Sequence, residues 1–197
     1  MDFFVNSQKI DITIENEKTI GDILKAFEKE FEANNATTTG ISLDGKAVGA
    51  DEFDAVFEKS LSDFSKLELS IITLAEIKEA IEAEAKESLE LAEKIKDISV
   101  AFQSGKDKEA AVLIANLADF INSICTTIKK TAYFPDAFKS LQKENGKSIE
   151  DFFAEITPIL ADLQQAIESN DTVLVGDLAE YEISPRLVSI SELLKKI

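Results

Sequence analysis

The chain has 197 residues, of which 45% are hydrophobic, and its 38 acidic and 21 basic residues give a formal net charge of −17. The apolar share is large enough to bury a core, whereas the negative charge disfavours nucleic acid and anionic membranes, which bind proteins through clustered Lys and Arg. The absence of histidine excludes histidine-based catalysis, and the single cysteine, Cys125, excludes an internal disulfide.

The start of the chain carries no basic region ahead of an apolar run, so we expect no secretory signal. We also expect no stretch that is long and apolar enough to span a bilayer. Cys125 lies between Ile124 and Ile128 on an apolar helical face, which is typical of an inert core thiol in a reducing compartment. The sequence therefore predicts a cytoplasmic protein.

The first elements are predicted to be a hairpin followed by a helix. Residues 2–5 form a short apolar run, and residues 9–15 alternate apolar and polar side chains after an intervening turn. Thr19 and Asp22 have the spacing of a capping box ahead of a helical stripe that ends at Phe31. We expect this helix to lay its apolar face on the sheet.

A short hairpin, a small helix and a closing strand are predicted next. Asp44 and Gly45 stand between two short apolar runs, and such pairs favour the two-residue turn in which both positions need positive φ. Asp51 is placed to cap a short helix, and residues 67–71 alternate as a last strand.

This order of elements resembles the ubiquitin-like β-grasp fold. The resemblance covers about residues 1–73 and rests on the element order and on the turn Leu43-Asp44-Gly45-Lys46. It implies a platform for contacts with other proteins. Ubiquitin-like conjugation or sulfur transfer would require a free Gly-Gly tail after the last strand, and here that strand continues directly into a helix, so we expect neither role.

Residues 74–102 have the spacing of one long packed helix. Its seam positions alternate steps of three and four: Leu74, Ile77, Ile81, Glu84, Ser88, Leu91, Ile95, Ile98 and Phe102. Such a seam is typical of helices that pack along their length. Because Glu84 and Ser88 are polar, we expect the helix to pack in a globular bundle rather than in a strict supercoil.

The next segment, residues 107–130, is apolar around more than half of its helical circumference. A helix that is apolar on so many sides is normally central, so we expect it to be the most buried helix of the bundle. A shorter helix is predicted over residues 136–144, ending at Asn145-Gly146.

Two further helices complete the chain. Ser148 and Asp151 form a second capping-box pattern at the start of a helix over residues 149–168, which Pro158 is expected to kink. Asp171 is placed to cap the last helix, and Ser184-Pro185 is expected to interrupt it. The predicted fold class is therefore α+β, with a β-grasp domain at 1–73 followed by an antiparallel bundle of four to five helices at 74–197.

The sequence shows no catalytic motif. Neither a phosphate-binding glycine loop nor an EF-hand loop is present, and nothing marks a particular set of carboxylates as metal ligands. We therefore predict no catalytic residues, no cofactor and no metal site, and we expect that the protein is not an enzyme.

One cluster stands out as a candidate partner-binding face. Asp177, Glu180 and Tyr181 fall on neighbouring turns of one helical face, and Arg186, the one arginine of the chain, follows. The cluster could dock a protein partner or hold a metal. The alternative is structural, with Tyr181 packed inward and Arg186 paired with a nearby acid. The chain as a whole also resembles uncharacterised bacterial proteins, some of them associated with flagellar gene clusters, and the resemblance covers Asp177 to Pro185 best.

The function that the sequence favours is a non-enzymatic intracellular protein–protein interaction module, acting as an adaptor, scaffold or export-associated chaperone for a basic protein partner. One alternative is a structural homo-oligomer assembled through the helix at 74–102. A third is a carboxylate-based divalent-metal protein. Neither nucleic acid nor a membrane is expected as a partner.

Overall fold

The computed structural model describes residues 1–139 and 148–197. The chain divides into two compact units, Met1–Glu76 and Ile77–Ile197. The first contains a five-stranded sheet with two helices, and the second is helical. The architecture is thus a mixed one, in which a sheet is followed by about six helices, and the predicted boundary at residues 73 and 74 lies just before the division between the units.

The sheet of the first unit has the strand order β2-β1-β5-β3-β4. Its strands are β1 Asp2–Val5, β2 Gln8–Ile10, β3 Ala36–Leu43, β4 Lys46–Ala47 and β5 Lys66–Thr73. Strands β1 and β5 pair in parallel at the centre, and all other pairs are antiparallel. The first and last strands of the unit therefore lie side by side, and the two hairpins occupy the edges.

Helix α1 (Ile20–Ala33) covers one face of this sheet. The predicted capping box is confirmed, because the Thr19 hydroxyl accepts from the Asp22 amide and the Asp22 carboxylate accepts from the Thr19 amide. The core beneath the helix contains Ile20, Ile23, Leu24, Phe31, Leu67 and Leu69. Each such side chain stabilises the unit by about 1.5–3 kcal/mol when fully buried. The small helix α2 (Phe53–Phe57) contains no buried residue.

The turn between β3 and β4 has the predicted geometry, with φ of 48° at Asp44 and 82° at Gly45. The Asp44 carboxylate also accepts from the backbone amides of Ser65 and Lys66, at 2.9 and 2.8 Å. Two predictions were wrong here. Strand β2 ends at Ile10 rather than at residue 15, because Ile10 pairs with Phe3 and β1 has almost no residue left to pair beyond it. Helix α2 is preceded by Glu52 without a side-chain cap, so Asp51 does not cap it.

The helices that follow are α3 Leu74–Lys94, α4 Ile98–Gln103, α5 Asp107–Thr131, α6 Ile149–Glu168, α7 Thr172–Asp177 and α8 Ser184–Leu194. The seam predicted over residues 74–102 is buried from Ile77 to Ile98. It is not one continuous helix, since a 3-10 turn at Ile95–Asp97 separates α3 from α4. Burial of the seam by other helices of the same chain confirms that this segment packs in a globular core.

Helix α6 begins with the predicted capping box of Ser148 and Asp151. It continues without a break through Pro158, which removes one backbone hydrogen bond from the helix. Between α7 and α8 the chain is also continuous, passing through a π-helical segment at Leu178–Ile183 instead of breaking at Pro185. The helix predicted at 136–144 and its end at Asn145-Gly146 lie mostly outside the described residues.

Candidate functional site

The predicted partner-binding cluster lies on the π-helical segment and the ends of its two neighbouring helices. Asp177, Glu180 and Tyr181 are all exposed, and Tyr181 leaves 65% of its surface open to solvent. The structural interpretation in which Tyr181 packs inward is therefore wrong. A π-helix has more residues per turn than an α-helix, and such segments are frequent at functional sites.

Arg186 does not belong to the same exposed surface. Its Nη1 donates to the Glu182 carboxylate at 2.7 Å and to the Glu182 carbonyl at 2.8 Å, and its Nε lies 3.5 Å from the Glu155 carboxylate. The prediction that Arg186 pairs with a nearby acid is confirmed. The structure therefore brings together Asp177, Glu180 and Tyr181 and assigns Arg186 to joining α8 with α6.

Exposed apolar side chains extend this face towards the start of α7. Val173 and Leu174 leave 65% and 42% of their surfaces exposed, and Val173, Asp177 and Tyr181 follow one another at steps of four residues. Among residues 1–139 and 148–197, no three carboxylate or cysteine side chains are grouped as they would be to hold a metal ion.

A polar layer crosses the core of the helical unit. Glu84 of α3 is 3% exposed, and one of its carboxylate oxygens accepts from Ser123 at 2.8 Å and from Thr127 at 2.7 Å, both on α5. The other oxygen, Oε2, is buried and accepts no hydrogen bond from the described residues. Burial raises the pKa of the Glu84 carboxyl, and the two hydroxyl donors partly oppose that increase. Ser191 of α8 adds a hydrogen bond to the Ala85 carbonyl of α3.

Helix α5 is not the most buried helix, contrary to the prediction. One of its seams faces the core, with Ala110, Leu117, Phe120, Ile124 and Thr127 buried. A second apolar seam lies beside it and is partly or fully exposed: Ala111, Ile114, Ala118, Ile121, Cys125 and Ile128. Of the most apolar 18-residue stretch of α5, only 22% is buried. The broad apolar surface that suggested a central helix therefore remains half uncovered.

The uncovered seam lines an apolar groove between α5 and α6. The groove has a volume of about 620 Å³ and is formed by Ile114, Ile121 and Cys125 on one side and by Leu160, Leu163 and Ile167 on the other. Among the described residues that line the groove, Glu168 is the one that carries a charge. The groove is thus mostly apolar, with one acidic side chain in its lining.

By length and composition alone, α5 could cross a membrane, and within the described part of the chain it is the one helix that could. The expectation that no stretch is long and apolar enough for this was wrong. Core helices of soluble proteins meet the same criterion. The feature that distinguishes α5 is therefore its uncovered second seam. The apolar residues of this seam are evident in the sequence, but the prediction of a central helix assumed that they would be buried.

Comparisons with known proteins match both parts of the chain. The family model described as "TP0873 N-terminal domain" matches residues 1–73, and the family model described as "Domain of unknown function (DUF8042)" matches residues 85–193. A Treponema pallidum (strain Nichols) protein named "Uncharacterized protein" is 28% identical over 194 residues, which are 98% of this chain and 95% of that protein. No solved structure matches the chain.

Proposed function

The chain belongs to the DUF8042 family, and from this premise we propose that it is a non-enzymatic protein–protein interaction module, acting as an adaptor, scaffold or export-associated chaperone. The observation that supports the proposal best is the apolar groove between α5 and α6. Monomeric proteins rarely leave a long apolar helical face uncovered unless another molecule binds there. Location in the cytoplasm and the association with flagellar gene clusters stay predictions.

The occupant of the groove is an amphipathic helix of a partner protein. Two helices that flank a long apolar groove offer the shape into which a third helix can lay its apolar face, with anchors spaced three or four residues apart. Glu168, which lines the groove, and the net charge of −17 are complementary to Lys or Arg on that partner helix. A second copy of this chain fits less well, because each copy would bring Glu168 to the interface and carries a net charge of −17.

We assign the first unit to the β-grasp fold. The assignment is supported by the strand order β2-β1-β5-β3-β4, by the parallel central pair of β1 and β5, and by α1 packed on one face of the sheet. In this assignment the first unit provides an additional surface for protein contacts, which is consistent with a module that has no catalytic role.

The alternative of a homo-oligomer assembled through residues 74–102 has less support. Ile77, Ile81, Leu91, Ile95 and Ile98, which that assembly would need on its surface, are buried within one chain. The metal-binding alternative rests on Asp177 and Glu180, which are exposed and to which the structure adds no third ligand among the described residues.

The proposal is tested with a defined probe and with Cys125 as a reporter. A synthetic Leu/Lys amphipathic helix of about five turns is titrated onto the full chain, with a Leu/Glu helix of equal length as its control. Because Cys125 lines the groove, binding of the Leu/Lys peptide is expected to protect its thiol from maleimide alkylation. The Leu/Glu peptide is expected to give no protection.

Two variants locate the binding surface. Ile121→Asp places a charge in the groove and is expected to weaken binding at least tenfold, whereas Ala115→Asp, on an exposed part of α5 outside the groove, is expected to leave affinity unchanged. Circular dichroism and thermal unfolding check that both variants are folded. Equal affinity for the two variants, or full alkylation of Cys125 in the complex, would contradict the proposal. Stronger protection by uncharged lipid vesicles would reassign the face to a membrane.

A further inference from the structure

Strand β3 has an edge without a partner over most of its length. On one side it pairs with β5 from Ala36 to Leu43, but on the other side β4 pairs only with Ser42 and Leu43. The Val48 amide extends this contact by one hydrogen bond to the Ile41 carbonyl. Within the described residues no strand lies beside residues 36–40. An unpaired edge presents backbone donors and acceptors in the spacing that an added strand requires.

An apolar pocket of about 500 Å³ lies directly beside this edge. Its apolar walls come from Leu24 of α1, Ile41 of β3, Val48, and the rings of Phe53 and Phe57 of α2. The two rings are 5.5 Å apart and half-buried. Because α2 is only five residues long and has no buried residue, it leaves the pocket open instead of closing it.

The polar groups at the pocket hold the strand edge in position. The Glu28 carboxylate accepts from the hydroxyls of Thr37 and Thr38, at 3.3 and 3.1 Å, which ties β3 to α1. The Lys25 ammonium lies 5.1 Å from the centre of the Phe57 ring. These side chains are satisfied within the unit, so a ligand at this place is recognised through the backbone of β3 and the apolar walls.

We infer that the edge of β3 at residues 36–40 binds an extended peptide segment of a partner protein as an added strand. One apolar side chain of the peptide enters the pocket beside Ile41 and Phe53. Strand addition of this kind takes its affinity from main-chain hydrogen bonds and its specificity from the pockets that receive alternate side chains.

Acidic side chains next to the pocket favour a basic peptide, because Lys25 and Glu28, the charged residues of the lining itself, offset each other. Asp51, Glu52 and Asp54 are exposed and immediately follow or flank Ala50 and Phe53, which line the pocket. The first 73 residues contain 15 acidic and 7 basic residues, so a second copy of the same edge would be repelled. The shift in strand register between Thr38 and Gly40 also limits the length of any added strand, which favours a short peptide over pairing of two whole sheets.

This surface is independent of the groove between α5 and α6, and it binds an extended segment rather than a helix. The probe is a synthetic peptide of about ten residues in which Lys alternates with Val or Phe. It is titrated onto the isotope-labelled full chain and followed by NMR. We expect changes in chemical shift that saturate with peptide concentration at the backbone amides of residues 37–41 and at the rings of Phe53 and Phe57.

Three controls distinguish strand addition at β3 from binding of the peptide by charge or apolar contact alone. The same peptide methylated at alternate backbone nitrogens is expected to bind at least tenfold more weakly, because its methyl groups remove the main-chain donors. A combined Asp51→Asn and Glu52→Gln variant is expected to lose several-fold in affinity, whereas Asp11→Asn with Glu15→Gln, outside the pocket, is expected to lose little.

The outcomes that overturn the inference are equally specific. Equal binding of the methylated and unmethylated peptides would show that the strand edge is not used. If a peptide of the same composition in scrambled order bound as tightly as the alternating peptide, binding would be due only to attraction between its lysines and the acidic protein. Shifts confined to the helical unit would place the peptide at another surface.

Discussion

Replacing Thr127 by Val is expected to destabilise the helical unit by about 1.5–3 kcal/mol at a pH at which Glu84 is ionised, the usual cost of losing a hydrogen bond to a charged group. Thr127 is 5% exposed, and its hydroxyl donates to the Glu84 carboxylate at 2.7 Å. Valine keeps the shape of the side chain and removes the donor. Because Oε2 of Glu84 accepts no hydrogen bond within residues 1–139 and 148–197, Ser123 is then the one donor left to the carboxylate in that part of the chain.

The cost should depend on pH in a defined direction. Burial raises the pKa of Glu84 in the folded chain, so the folded state holds this proton more tightly than the unfolded state does. The contribution of Glu84 to stability is therefore fully present below its unfolded-state pKa and is lost as pH rises through the folded-state pKa. Removal of the Thr127 donor raises that pKa further, so the variant loses more stability than the wild type as pH rises.

The assay is urea unfolding followed by circular dichroism at about pH 5 and about pH 8, a range in which most proteins remain folded. The difference between Thr127→Val and wild type should be larger at the higher pH, where the lost bond is to a charged acceptor. Thr126→Val is the matched control, because Thr126 is exposed and donates to the Asn122 carbonyl. Its effect should stay within about 0.5 kcal/mol at both pH values. An equal cost for Thr127→Val at the two pH values would refute the proposed link to Glu84.

Three other substitutions test the packing and the caps by urea unfolding. Gly176→Ala should cost about 1–3 kcal/mol, because the new Cβ would lie 2.7 Å from the Cβ of Ser99, and Ser99→Gly in the same chain should recover part of that loss. Ser148→Ala should cost about 1 kcal/mol through loss of the α6 cap, and a neutral result would contradict the cap. Asp44→Ala should cost about 1–3 kcal/mol, since two amides at the start of β5 lose their acceptor, and retention of wild-type stability would show that water replaces it.

The sequence predicted best those features that depend on only a few neighbouring residues. The capping boxes at Thr19 and Ser148 and the turn at Asp44-Gly45 depend on local backbone geometry, and the structure contains all three. The seam of α3 was also predictable, because an apolar repeat with steps of three and four must be buried by something.

The features that sequence predicted poorly depend on what covers a surface. Both seams of α5 are apolar, and the sequence alone does not say that the chain supplies a partner for only one of them. The orientation of Tyr181 also depends on what covers it: the structural alternative packed its ring inward, whereas the structure leaves it exposed beside Asp177, on the predicted face. The pairing of Arg186 with an acid was predictable, because ion pairs four residues apart follow from the helix itself, but the half-buried Arg186 is not on the predicted exposed face.

The π-helical segment also has a consequence for changes in chain length. It places Leu178 and Ile183, five residues apart, on the same buried side, and α8 continues from there with Leu187, Ile190 and Leu194 in the core. Each residue removed or added between these two positions rotates the side chains of α8 by about 100° around the helix axis. A deletion of one residue here would carry the buried side of α8 towards solvent, although no buried side chain had itself been changed. At this place the number of residues matters as much as their identity, so natural variants and engineered chains should tolerate substitutions of the exposed Glu180 and Tyr181 far better than insertions or deletions.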